Sequence, residues 1–258
     1  MNASQVSEAK TREDSAPVVR VEPSPRWVRV KFGGEFIADS KRVLLVWDNH
    51  HIPAYFFPRD DVRMEWLEPA SRRQGERTTY HVRVNGRTAE NGAYSYTDPG
   101  PAREDLRDLI TFRWSKMDAW YEEEEEVFVH ARDPYTRVDV LPSSRHVRIE
   151  VDGVTVAETH RPYLLFETGL PTRYYIPAAD VRLELLAPTP THTRCPYKGV
   201  ASYWSVIVGG RTYKDLVWSY PDPIPECPKI KGLLAFYNEK VDLYVDGELQ
   251  PRPRTPWS

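Results

Sequence analysis

Hydrophobic and polar residues alternate in short runs from Trp27 onward and almost nowhere recur at helical spacing. Val28-Arg-Val-Lys-Phe32, Val43-Leu-Leu-Val-Trp47 and Val62-Arg-Met-Glu-Trp-Leu67 read as strands. In the last of these Val62, Met64 and Trp66 share one face while Arg63 and Glu65 take the other, the period of two that a pleated strand imposes. Only Ala102 to Leu109 carries helical spacing, enough for about two turns. Pro (23 residues) outnumbers Gly (13), and many Pro-bounded segments argue against long helices. The predicted fold class is all-β, as two tandem small antiparallel β domains of tent-like or sandwich-like hairpin sheets with few or no helices.

The two domains follow from self-similarity. Arg26 to Pro69 aligns without a gap on Arg145 to Pro188 at an offset of 119, with about a third of the positions identical. Register resumes at an offset of 124 from Gly75/Gly199, through Tyr94/Trp218 and Tyr96/Tyr220 to Phe112/Phe236, and Tyr80 is paired with Tyr203. The difference of 124 − 119 means that five residues of the second copy, fitted as Arg194 to Lys198, have no counterpart in the first. The expected organisation is a disordered tail over 1–25, a first repeat over 26–126, a linker over 127–144, a second repeat over 145–249 and a tail over 250–258. The run Glu122 to Glu126 reads as a solvated edge, with a basic partner or cation patch as the alternative.

Composition narrows the function. Lys and Arg (35) nearly balance Asp and Glu (38), which leaves a formal charge of −3 and no field that recommends nucleic acid. No stretch of about twenty apolar residues is present to span a bilayer, and the start of the chain lacks a secretory pattern, so a cytoplasmic protein with no membrane partner is expected. Two cysteines, Cys195 and Cys227, are too few for a disulfide framework and lack the spacing of a zinc knuckle. No metal ligands and no cofactor are assigned, and His50 and His51 are read as surface residues.

The densest reactive chemistry lies in Thr193-Arg-Cys-Pro-Tyr-Lys-Gly199, which contains the five private residues. Pro196 holds Cys195 extended, and Arg194 and Lys198 flank its thiol and favour the nucleophilic thiolate. Cys195 and Lys198 are therefore the catalytic candidates, against the alternative of a turn-forming or buried thiol. Arg194 and Lys198 suit an anionic group, and Tyr197 suits the face of a ligand. Trp204, Trp218, Tyr220 and Phe236 would form an apolar wall, or equally a core, since His81, Tyr94, Tyr96 and Phe112 stand opposite them in the first copy. Glu226 is a further private candidate, because Ala102 aligns with it.

The ordered series Thr193 to Gly199, Ala201-Ser-Tyr-Trp204, Trp218-Ser-Tyr-Pro-Asp-Pro223, Gly232-Leu-Leu-Ala-Phe-Tyr237 and Val241 to Gly247 resembles the family called domain of unknown function 427. The resemblance covers Arg145 to Leu249 and, in partial form, Arg26 to Glu123, and it implies a small domain of antiparallel hairpins. A nucleotidyltransferase label also comes with it. Such chemistry needs metal-binding carboxylates beside a phosphate-holding loop, and the only near pairs are Asp60-Asp61 and Asp242/Asp246. The expected function is binding of a small anionic or aromatic ligand, or an enzyme of unassigned reaction, at the second repeat. The alternatives are a protein-interaction module and, by label alone, nucleotidyl transfer. The two repeats are also expected to suit packing as a pseudo-dimer.

Overall fold

The computed structural model describes residues 19–48, 52–70, 77–97 and 100–258. They fall into two units, the first ending at Ala131 and the second beginning at Arg132. His50 and His51 lie outside the described residues, as do 1–18 of the expected tail. Both units are all-β, and each combines a seven-stranded with a four-stranded antiparallel sheet.

In the second unit the large sheet runs Val138–Pro142, Tyr163–Glu167, Arg173–Ile176, Leu234–Phe236, Arg211–Ser219, Gly199–Val208 and Leu186–Cys195. The small sheet runs Val154–Thr159, Val147–Val151, Asp242–Val245 and Glu248–Leu249. Alternation explains how they meet. Val147, Ile149 and Val151 turn inward while Arg148 and Glu150 turn out, and the inner residues join Ile176, Val206, Val217 and Phe236 in one core. Each such aliphatic side chain contributes about 1.5–3 kcal/mol when it leaves water. The first unit repeats the order of both sheets, with Val28, Val30 and Phe32 in the matching inward positions.

Three expectations need correction. The repeats begin earlier than 26 and 145: Val19–Pro23, within the expected tail, pairs with Leu44–Asp48, and Val138–Pro142, within the expected linker, pairs with Tyr163–Glu167. The segment over 250–258 is tied down, with the Gln250 amide on the Leu243 carbonyl (2.8 Å) and the Thr255 hydroxyl on Glu239 (2.6 Å). The helical spacing after Ala102 yields a 3-10 segment, Pro101–Leu106, before the chain enters the strand Leu109–Phe112.

A second, smaller core covers the outer face of the large sheet in the second unit, beneath residues 224–233. Register pairs Tyr163 with Tyr175, Tyr175 with Ala235, Ala235 with Trp218 and Trp218 with Tyr203. These five form one transverse row. Ala235 is small enough that the Trp218 indole donates to the Tyr175 hydroxyl across it (3.1 Å).

Candidate functional site

The private residues close a tight turn at the edge of this outer core. The Lys198 amide donates to the Cys195 carbonyl (3.3 Å), and Gly199 follows in the left-handed region (φ +107°). Pro-Tyr-Lys-Gly has the turn-forming residues such a reversal needs. Beyond it the strand Leu186–Cys195 pairs with Gly199–Val208. The turn faces inward: Lys198 is only 8% exposed and Cys195 packs against the cluster that holds Cys227, Tyr175, Trp218 and Tyr220.

Burying a lone ammonium would be prohibitive, and Lys198 is not alone. Its Nζ donates to Glu167 Oε2 at 2.5 Å, and the Cys195 sulfur is close enough to act on it electrostatically. Burial acts to lower the pKa of this ammonium, but the fields of Cys195 and Glu167 and the hydrogen bond to Glu167 outweigh it and raise it. Lys198 is thus a cation throughout the neutral range. Burial pushes the Cys227 thiol up, and it pushes the hydroxyls of Tyr175 and Tyr220 up further, so all three stay protonated at neutral pH. The arrangement sets a partly buried thiol beside a fixed ammonium, whose counter-ion is oriented on a rigid strand.

Glu167, Tyr175 and Cys227 are members of this cluster that sequence reasoning did not select. A usable signal existed, because the 119 offset already places Glu167 on Asp48. In both units this carboxylate ends the same strand and pairs with the first residue of the edge strand, Val19↔Asp48 and Val138↔Glu167. Asp48 is neutralised differently, by Arg103 (2.7 Å) and Arg77 (3.5 Å), with the Tyr96 hydroxyl donating to it (2.6 Å). Arg103 and Arg77 occupy, at the 124 offset, the positions of Cys227 and Ala201. A partly buried carboxylate with a cation is common to both units. The two thiols belong to the second alone.

The other predicted residues disperse. Trp218 and Tyr220 lie in the outer core. Trp204 and Phe236 do not share their wall: both lie on the opposite face, against the inner core. The predicted pairing of Tyr80 with Tyr203 is off by one, for Thr79 faces Tyr94 as Tyr203 faces Trp218, and Tyr80 faces Ala93 as Trp204 faces Val217. Trp204 therefore matches Tyr80 and serves the scaffold, whereas Tyr203 replaces Thr79 and is particular to the second unit. Tyr203 reaches Thr193 Oγ1 (2.8 Å). Tyr197 turns back on its own unit, its hydroxyl accepting the Asp133 amide (2.7 Å), and is half-buried. Arg194 is exposed at the rim, and exposed Glu226 lies 3.8 Å from Arg132. Lys198 spends its charge on Glu167, so the expected Arg194 and Lys198 clamp for an anion is not assembled.

The family model described as Domain of unknown function (DUF427) matches this chain twice, over residues 20–123 and 139–247. The chain belongs to the domain of unknown function 427 family. Both matches open beside the early strands, at Val19 and Val138, and so agree with the longer repeats. No curated protein is similar enough to the chain to be matched with it. Within this tandem member of the family the thiol cluster lies in the second match alone.

Elsewhere, a cavity of about 490 Å³ in the first unit is lined by Phe32, Arg87, Thr88, Ala89, Glu90 and Lys116. Its two cations are engaged, Arg87 with Asp118 (2.7 Å) and Lys116 with the Glu90 carbonyl. Among the described residues no group of three or more His, Cys, Asp or Glu side chains is placed to hold a metal ion. Nor is any helix there long and apolar enough to cross a membrane.

Proposed function

We propose that the second unit takes a small molecule with an aromatic or apolar portion and acts on it through Cys195. The observation that carries this reading is the inward-facing Lys198, held on Glu167 within the field of Cys195, on a stretch of five residues with no counterpart in the first copy of the sequence. Nucleophile, charged partner and orienting carboxylate stand in series, the order that activated nucleophiles require. Lys198 remains protonated, so its role is to set a positive charge beside the Cys195 sulfur and to return a proton to a leaving group. Trp218, Tyr220 and Tyr203 supply apolar surface with polar tips beside the thiol. An interaction loop would stand out into solvent, and Lys198 does the opposite. No residue set among those described favours nucleotidyl transfer.

Alkylation tests the proposal. Iodoacetamide should modify Cys195 quickly and buried Cys227 only on unfolding, with sites read by peptide mass spectrometry. Aryl chloroacetamides should react faster with Cys195 than alkyl ones of equal intrinsic reactivity. Lys198→Met should slow Cys195 by about tenfold or more, since it removes the positive charge beside the sulfur and about 1.4 kcal/mol of barrier is tenfold in rate. Lys198→Arg should retain most of the rate. Labelling of Cys195 no faster than that of a free cysteine, with no aryl preference, would overturn the reading.

A further inference from the structure

Lys198 and Cys195 are positions four and one of a closed turn, both turned into the same cluster, with the lysine nitrogen immobilised on Glu167. The closed turn and the anchor on Glu167 limit how far the amine and the thiol can move apart. Cys227, the other thiol, belongs to the same cluster, on the segment 224–233, and is 3% exposed. Oxidants arriving from solvent therefore meet Cys195 first, with Lys198 as its immediate neighbour.

We propose that the Cys195–Lys198 turn is a redox modification site, at which hydrogen peroxide links Cys195 Sγ to Lys198 Nζ through one oxygen atom. The atoms balance in three steps. The Cys195 thiol reacts with one peroxide, so that an S–O bond forms, the O–O bond breaks and water leaves, giving the sulfenic acid. A second peroxide converts the small fraction of Lys198 that has released its ammonium proton to solvent to the hydroxylamine, with loss of another water. Condensation of the two hydroxyls expels a third water and leaves S–O–N. Sulfur and nitrogen are each oxidised by two electrons, and two peroxides are reduced. The bridge withdraws both groups from the chemistry proposed above. It uses the same contact as that reading but needs no turnover.

The test treats the full reduced chain with hydrogen peroxide and follows its intact mass and tryptic peptides. The bridged chain gains one oxygen and loses two hydrogens. Trypsin no longer cuts after Lys198, so a peptide from Cys195 to Arg211 appears, and dithiothreitol restores cleavage. Cys227→Ala should give the same product. Lys198→Arg, which keeps a cation for Glu167, should give only sulfur acids, with circular dichroism checking its fold. Loss of two hydrogens alone, marking a Cys195–Cys227 disulfide, would overturn the inference. So would sulfur oxidation with Lys198 still cleaved. Alkylation of the reduced chain separates the two claims: fast, aryl-selective labelling without a bridge defeats this inference alone, and a bridge with slow, unselective labelling defeats only the proposed function.

Discussion

Arg173 and Glu239 show what a single buried pair does in this fold. The guanidinium meets the carboxylate through two nitrogens, at 2.7 and 2.6 Å, and the Glu239 side chain is wholly shielded from solvent. Burial pushes the Glu239 carboxyl up, but hydrogen bonds from Arg173 and Thr255 outweigh it and bring its pKa down to about 2. A carboxylate depressed in the folded state adds stability that is complete above its unfolded value, about 4.3, and is lost as pH falls through about 2. Arg173→Met alone should destabilise the second unit by about 3–5 kcal/mol, because Glu239 is left charged and unpaired. Arg173→Met with Glu239→Leu should recover most of that loss and flatten the acid limb of a urea-midpoint-against-pH profile. Equal losses in the single and double variants would show that the pair is not the cause. None of this was legible in the sequence. The partners lie 66 positions apart, and at the two offsets the first unit has Ala54 and Ser115 in their places.

At the scale of strands and turns, legibility followed the period. Runs with one buried face, such as Val28–Phe32 and Val147–Val151, could be read directly, since every second side chain is apolar. Val19–Pro23 escaped because only Val19 and Val21 mark its period before Pro23 ends it, although its match to Val138–Pro142 at the same offset was available. The one-residue slip at Tyr203 has a physical cause of its own. Both hairpins carry a register irregularity beside this point, after Tyr80 and after Trp204, and a slip of one exchanges the faces of a sheet. The private turn was found from the repeat, but its inward orientation was not, as charge alone would place Lys198 in water. Gly199 sets that orientation. A side chain there would be strained at φ +107° and would meet the Asp222 carbonyl and the Ile224 amide at 3.3 Å. Gly199→Ala should lower stability by about 1–2 kcal/mol and expose Lys198. Thermal unfolding would show the first, and faster acylation of Lys198 by an amine-reactive ester the second. Unchanged values for both would mean that the turn relaxes without cost.

At the scale of the molecule, duplication separates what the fold needs from what one copy added. Both units keep the same sheet orders, the same inward valines and a carboxylate at the same strand end, so none of these features argues for chemistry. Around the thiols the second unit adds the turn, Tyr203 in place of Thr79, Tyr175 in place of Phe56 and Ala235 in place of Thr111. All of these lie on the outer face of its large sheet or at that sheet's edge, and every hydrogen bond described among them stays within the unit. The inner cores are likewise separate, one for each unit. The second unit should therefore fold and react on its own. A fragment over 132–258 has a length at which a single domain buries a sufficient core. Its near-ultraviolet circular dichroism should show ordered Trp218 and Tyr175, and its Cys195 alkylation rate should lie within about twofold of the full chain, the variation expected when no contact to the thiol is lost. A tenfold slower rate in a folded fragment would mean that the first unit shapes the thiol site, and the duplication would then be part of the chemistry. An equal rate would confine the chemistry to one unit and leave the first as a scaffold copy with an arginine where the second has Cys227.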